Sequence, residues 1–557
     1  MNSRRRGVPS GLALVGLVGA LSAPVAWSAP EPFPTARPST RLQAVAALSA
    51  GAPLPQGCAT LLADGIETDP ARATPPARRA LALLQADRPL AGERRHVAAE
   101  GVVVRYAADR GALDRVDGPD GDADGVPDLV EAAAAGALAA RDLLVRRLEF
   151  PAPGPIEVVL ARLGSGVDGL LATSRDGHRI ALVDPWNRGG VDGVRRAAAH
   201  QVAHAIADAL VPGPSGAWSE AFATWSSLTL DAADEKPLAL VAGRLAGLDG
   251  GLAPETLEEA AGNAVWLAFL HEAYGPTTLR LAMDELGRGG QASAAFERAL
   301  RRGAGSGLAE ALREFHVWSI LTGERDDRRH FAFAEHVPSP SFAERADGLP
   351  AVSILGEPAL GPAGLAQIAL RAPDEKGGLL VRFEGESGAR LAADLLLVRT
   401  DGSLRRVALT LDSEGRGDAA VPMQGLREVL LLVRNLEGEE GAARRFSWFA
   451  SSDPAYPWEP GSVSAESGPD GVQIVWETTS EAAVLGFNVL RRREGDTAES
   501  RVNPVWVPSI GDRSTPAQYA FVDTTAAPGV VYEYRVEAVT PLGLAATSDA
   551  AVAAPRR

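Results

Sequence analysis

Cysteine is almost absent from this chain: Cys58 is one residue in 557. No disulfide can form within the chain, so its domains are not stapled by sulfur. For an exported protein the loss of that source of stability makes bound metal ions the more interesting substitute. Cys58 itself has no histidine near it in sequence and reads as a small buried residue rather than a nucleophile. Excess positive charge is also missing: 55 Lys and Arg face 71 Asp and Glu, for a formal charge of −16. That balance excludes a nucleic-acid surface, which needs clustered Lys and Arg, and suits a soluble, cation-binding protein. Apolar runs of membrane-spanning length are missing after the N-terminal leader.

The leader has a basic start at Arg4, Arg5 and Arg6, a Gly- and Pro24-broken apolar run, and small residues at "AWSAP". This is the pattern of a signal peptide over residues 1–29, removed after Ser28 or Ala29. No cysteine follows the apolar run, so a lipid-anchored cysteine is excluded there. The expected location is secreted, periplasmic or at the cell surface, with no transmembrane anchor after cleavage.

A chain of this length is expected to divide into about three or four domains. Alanine is so abundant that helix propensity over-predicts helices, and pattern and punctuation carry more weight. Residues 30–95 are Ala/Pro-rich, with two short helical patterns, and form an N-terminal segment that is a candidate pro-region. From 96 to 338 strand-like runs ("HVAAEGVVVRYAA", "IEVVLARL", "HRIALVDP") give way to helical periodicity such as "AVWLAFLHEAYG". Residues 345–452 change to short apolar runs between Gly/Asp turns, a β-sandwich pattern. "SSDPAYPWEPGS" supplies a linker over 453–462. Residues 463–557 resemble a fibronectin type III domain through the Trp476 strand, "GFNVLRR" and "VYEYRVEAV". The expected class is therefore multidomain α+β: a mainly helical domain with a small sheet, followed by two β-sandwiches.

"DGDADGVPDLVE", Asp120 to Glu131, fits the calcium-loop pattern D-x-D-x-D-G-x5-E at each fixed position. Calcium needs oxygen ligands around a tight turn. On that template Asp120, Asp122 and Asp124 give carboxylates, Gly125 the bend, and Val126 its carbonyl. Asp128 and Glu131 complete the set, with Glu131 also favoured in the first turn of the next helix. A single loop without a partner loop points to a structural Ca2+ site.

In "RRAAAHQVAHAIADAL", His200 and His204 lie four apart and so share one face of a helix, where both can bind one metal ion. A third ligand is expected from a second helix, and "GAWSEAFATWSSL" offers Glu220 after a Pro/Gly-rich reversal. Here the chain resembles the gluzincins, the thermolysin-like zinc metalloproteases. "HQVAHAIAD" follows their H-E-x-x-H-A-x-x-D helix at all positions but one, and "WSEAFATW" resembles their N-E-A ligand helix. The order of the Asp loop, strands, histidine helix and "FHVWSILTGERDDRRHF" also resembles a family of secreted metalloprotease-like proteins of myxobacteria and related bacteria. The resemblance implies a gluzincin-like metalloprotease domain with Zn2+ on His200, His204 and Glu220, and with Asp208 orienting the site. It implies a peptide or protein as substrate or ligand. His271 and Tyr274, in "LHEAYG", become candidates for oxyanion stabilisation, against ordinary helix packing. His316 and His330 remain uncommitted.

Two positions depart from the family. Thr224 stands where an aspartate usually orients a ligand histidine. Gln201 stands where the family has its general-base glutamate. An amide cannot take a proton from water at neutral pH, and losing general acid–base catalysis costs ~10²–10⁴-fold. The leading expectation is a secreted zinc metalloprotease homologue with impaired catalysis. The alternatives are an active peptidase using another base, and a non-enzymatic surface or adhesion protein acting through its β-sandwiches.

Overall fold

The computed structural model describes residues 57, 58, 60, 87 and 89–554, apart from 164–165, 187–188, 211–215, 353–358, 371–377, 454–457, 482–483, 512–514 and 540–544. The expected signal peptide and most of the candidate pro-region lie outside the described residues.

The first sheet has six strands: β1 (Gly57–Cys58), β2 (Glu93–Val97), β3 (Val102–Ala107), β4 (Ile156–Leu160), β5 (Val167–Thr173) and β6 (Arg179–Val183). Their order is β1-β5-β6-β4-β3-β2. β3, β4 and β6 run parallel, and β5 returns antiparallel to β6. β1 adds to the outer edge of β5 in parallel, with Cys58 beside Gly169. The expected single strand over "HVAAEGVVVRYAA" is instead the hairpin β2–β3. Glu100 and Gly101, with φ of 57° and 76°, turn the chain there, and Gly101 takes that left-handed conformation without strain.

Both faces of the sheet are buried at β4, β5 and β6, so these strands read as apolar runs rather than alternations, whereas β2 at the edge is charged and exposed. Val158, Leu160, Ala181 and Val183 join the large helical core. Val159, Leu170, Ile180 and Leu182 build a second core on the opposite face. The helical side begins with α1 (Asp128–Arg141), α2 (Gly190–Leu210) and α3 (Gly216–Leu230). α1 and α2 approach closely at Gly136, where a Cβ would sit 2.0 Å from the Arg195 carbonyl oxygen. Helices α4 (Glu235–Ala246), α5 (Leu257–Gly262), α6 (Ala264–Tyr274), α7 (Pro276–Gly287), α8 (Ala292–Gly303) and α9 (Leu308–Ile320) complete the layer. Among the described residues no helix is long and apolar enough to cross a membrane.

The region from 344 to 453 is a sandwich of a four-stranded and a five-stranded sheet. Phe383, Val421 and Trp448 of one meet Ile368, Leu395 and Leu431 of the other. The outer face of the five-stranded sheet is covered as well. Val317 and Ile320 of α9 pack on Ala369, Leu396, Val398, Leu430 and Leu432. Arg313 of α9 donates twice to the buried Asp394 carboxylate, at 2.9 and 3.0 Å, and Arg434 pairs with the same carboxylate at 2.6 Å. Burial on both faces explains the unbroken runs "DLLLVR" and "EVLLLVRN". The last module sets a three-stranded sheet (Trp458–Gly468, Gly471–Glu481, Ala517–Asp523) against one built on Gly486–Arg493 and Tyr532–Val539. Trp476, Phe487, Tyr519 and Tyr534 fill its core. Pairing with Gly471–Glu481 extends through Trp458, so the expected linker at 453–462 is strand in its second half.

Candidate metal centre

α2 opens with Asp192 in its first turn, where a carboxylate suits the helix dipole, and continues through an alanine run that suits a helix wedged between sheet and helices. His200 and His204 project from one face of it. α3 crosses the same ground in the opposite direction, because Ser227 meets His200 while Ser219 meets His204. Glu220 lies between these serines and reaches both imidazoles: Oε1 is 3.3 Å from His200 Nε2, and Oε2 is 3.1 Å from His204 Nε2. The two Nε2 atoms are 3.2 Å apart.

The Nδ1 atoms are held from behind. The Ser227 hydroxyl donates to the Ala223 carbonyl at 3.0 Å, so it accepts from His200 Nδ1–H at 3.3 Å. That tautomer leaves the Nε2 lone pair facing Glu220. Ser219 holds His204 Nδ1 at 2.9 Å in full burial. Serine hydroxyls thus take the orienting role that metal-binding imidazoles require. Asp208 pairs instead with Arg179 of β6 at 2.6 Å. Thr224 is buried, and its hydroxyl has no hydrogen-bond partner among the described residues.

A fourth donor arrives from far away in sequence. The Cys58 sulfur lies 3.3 Å from His204 Nε2. The ligand atoms of Cys58, His200, His204 and Glu220 all fall within 4.8 Å of one another. A zinc ion with ligands at ~2.0–2.3 Å sets neighbouring donors roughly 3.3–3.8 Å apart, so this donor set fits zinc in chemistry and spacing. Charge agrees: a thiolate and a carboxylate with two neutral imidazoles balance one divalent cation.

The electrostatics carry the same demand for positive charge. Burial and the Glu220 carboxylate push the Cys58 thiol up, but the two histidines outweigh them and bring it down to about 7. Burial opposes protonation of His200, yet Cys58 and Glu220 raise it to about 9. His204 is raised against burial by the same two groups, to about 10. Burial works against the Glu220 carboxylate, but the histidines hold it well below the usual carboxylate range.

Gln201 is buried beside this cluster. Its Oε1 accepts from the Thr60 hydroxyl at 3.0 Å, and its Nε2 donates to the Cys58 sulfur at 3.4 Å. Gly169 makes room for it: a Cβ there would meet Gln201 Cγ at 3.0 Å and the Leu182 carbonyl oxygen at 2.8 Å. His271 packs edge-on against Trp225, and burial lowers its pKa. Tyr274 donates to Glu314 at 3.3 Å and is pushed up to about 12, first by burial and then by that carboxylate. Neither of these contacts reaches the four-donor cluster. His316 is fully buried in α9, and His330 pairs with Asp327 at 2.7 Å.

In the loop 120–131, Asp120, Asp122 and Asp124 are exposed and bring carboxylate oxygens within 4.8 Å of one another. Backbone N–H groups of Asp124, Gly125 and Val126 donate into these carboxylates, and Gly125 takes φ +88° at the bend. Asp128 opens α1 and accepts from Gly121 N–H at 2.8 Å. Desolvation and the charges of Asp122, Asp124 and Asp128 push the Glu131 carboxyl up, so Glu131 shares the field of the same loop.

Sequence reasoning missed Cys58, Thr60, Ser219 and Ser227. The two serines flank Glu220 by one and seven positions, but serine carries no spacing signal of its own. For Cys58 the only signal was its singularity.

No protein-family model matches the chain. No curated protein is similar to it. Solved structures resembling parts of it are fibronectin type III-like and other β-sandwich domains. A fibronectin type III-like protein from Clostridium thermocellum is 22% identical, over 18% of this chain and 97% of that one, with a TM-score of 0.13. The FN1–FN3 domains of chicken CNTN1 are 17% identical, over 30% of this chain and 58% of that one, with a TM-score of 0.16. At these TM-scores the likenesses carry no argument.

Proposed function

We propose that this protein is an exported, zinc-holding homologue of the gluzincin peptidases that does not cleave peptide bonds. The observation that carries the reading is the state of Gln201 beside the three-ligand cluster of His200, His204 and Glu220. Zinc, when bound, supplies the positive charge that holds these donors and polarises whatever fills its remaining position. The neighbouring side chain then has to accept a proton for hydrolysis, and the Gln201 amide cannot. Both ends of that amide are also engaged, by Thr60 and Cys58.

The sheet edge supports the same reading. An extended peptide would add as a strand along the outer edge of β5, but residues 57–58 of the chain itself pair there. Calcium in the 120–131 loop belongs to this proposal as a structural ion, held by Asp120, Asp122, Asp124 and the carboxylates at the start of α1. Export rests on the leader at residues 1–29.

Metal analysis and proteolysis assays test the reading. The purified chain is expected to carry zinc that His204→Ala loses, and to leave unstructured protein substrates intact. Cleavage by the wild type that is abolished by both a chelator and His204→Ala would overturn it.

A further inference from the structure

We propose that Cys58 is the fourth protein ligand of this metal, so that one cysteine, two histidines and one glutamate close the centre and pin the N-terminal segment to the sheet edge. The inference rests on the reading that His200, His204 and Glu220 hold zinc.

The geometry brings the sulfur to the place a fourth ligand must take. It is 3.3 Å from His204 Nε2, and it joins a group whose other members come from α2 and α3. Sites with four protein ligands are structural, whereas catalytic sites keep one position open for water. A thiolate in that position closes this one.

Gln201 fits the closed site better than a glutamate would. Thr60 Oγ1 accepts from Leu171 N–H at 2.9 Å, lies 3.2 Å from the Cys58 sulfur and donates its proton to Gln201 Oε1 at 3.0 Å. The amide is therefore turned with Nε2 toward Cys58, where its N–H meets the sulfur. A glutamate would set a second negative charge against the thiolate and have no proton to offer. The position that departs from the peptidase pattern thus meets the chain's one cysteine.

The pairing of β1 with β5 is irregular, its register shifting between Gly57 and Cys58. Ligation at Cys58, with Thr60 bonded to Leu171 and Gln201, ties the segment across α2 and β5.

Cobalt substitution of the full chain tests this. The metal is removed with a chelator under reductant and replaced by Co2+, for wild type, Cys58→Ser and His204→Ala. The expected wild-type spectrum has visible bands of a tetrahedral site and an intense near-ultraviolet sulfur-to-cobalt band. Cys58→Ser is expected to keep bound cobalt and lose the sulfur band. Alkylation of the unmodified chain gives a second readout independent of any variant: Cys58 is expected to resist iodoacetamide with zinc bound and to react once zinc is removed. Bound cobalt with no sulfur band, or alkylation indifferent to zinc, would overturn the inference while leaving the three-ligand reading standing. Cobalt bound by none of the three proteins would overturn that underlying reading too.

Discussion

The carboxamide nitrogen of Gln201 donates to the sulfur of Cys58 at 3.4 Å, across 143 positions of sequence. This contact gives the glutamine a task. Gln201→Glu is therefore expected to weaken the protein instead of restoring an enzyme. It replaces a donor by a carboxylate beside the thiolate, and the loss of a buried hydrogen bond of this kind costs ~1–3 kcal/mol. Chemical denaturation of the zinc-loaded chain should show that loss, with no peptidase activity gained. A variant as stable as the wild type would show that Gln201 does not support the sulfur.

Gly169 is the floor on which Gln201 rests. Gly169→Ala would bring a methyl group to 3.0 Å from Gln201 Cγ and 2.8 Å from the Leu182 carbonyl oxygen. Because the second neighbour is backbone, the strand has to shift, and overpacking of this kind costs ~1–3 kcal/mol. Denaturation should register the destabilisation, and a chelator should strip the metal from the variant faster. Unchanged stability together with unchanged metal release would contradict the packing argument.

Ser219 and Ser227 orient the two imidazoles unequally. Ser219 holds the fully buried His204 at 2.9 Å, whereas Ser227 holds the less buried His200 at 3.3 Å. Ser219→Ala is expected to lower zinc affinity by roughly 10–100-fold, the usual cost of losing an orienting partner. Ser227→Ala should cost less, since water can replace a partner near the surface. Competition against a chromogenic chelator measures both, and an equal or reversed order would contradict the assignment.

What was legible in the sequence had local causes. His200 and His204 are brought together by one helix, and Glu220 by the adjoining one, so a spacing argument finds all three. The Asp120–Glu131 loop is equally local. Cys58 and Thr60 reach the same place through the pairing of β1 with β5, and no pattern in the sequence specifies that edge. The hairpin at Glu100 and Gly101 was hidden because its first strand, Glu93–Val97, is charged and exposed and carries no apolar strand signal. The runs at 394–399 and 428–435 did reveal strands. Their continuous apolar character had a cause outside the sandwich, in the docking of α9 on its outer face.

The calcium site proposed at 120–131 predicts a stability that depends on the ion. Three exposed carboxylates within 4.8 Å repel one another unless a cation lies between them. Calcium at about 100 times its dissociation constant would add ~2.7 kcal/mol to the folded state. Thermal unfolding should therefore move to higher temperature with calcium and fall back with a chelator selective for it. The double variant Asp120→Asn, Asp124→Asn should lose that response, and without calcium it should match or exceed the wild type because repulsion is relieved. A wild-type Tm indifferent to calcium would remove the ion from the account.

His316 predicts acid sensitivity at the joint between α9 and the sandwich. Burial, then the charge of Arg434, hold its imidazole well below the ordinary value, against a smaller opposing effect of Gln367. The folded chain therefore keeps it neutral, while the unfolded chain protonates it below ~6.5. Stability from this source is complete above that value and is lost as the pH falls, because the unfolded state then binds the extra proton. Between about pH 7.5 and 5.5 the loss is ~1.4 kcal/mol for a single such group. His316→Leu removes the titration. Its stability, measured by denaturant at each pH, should fall over that range by about that much less than the wild type's. Parallel pH profiles for the two proteins would mean that His316 accepts its proton in the folded state.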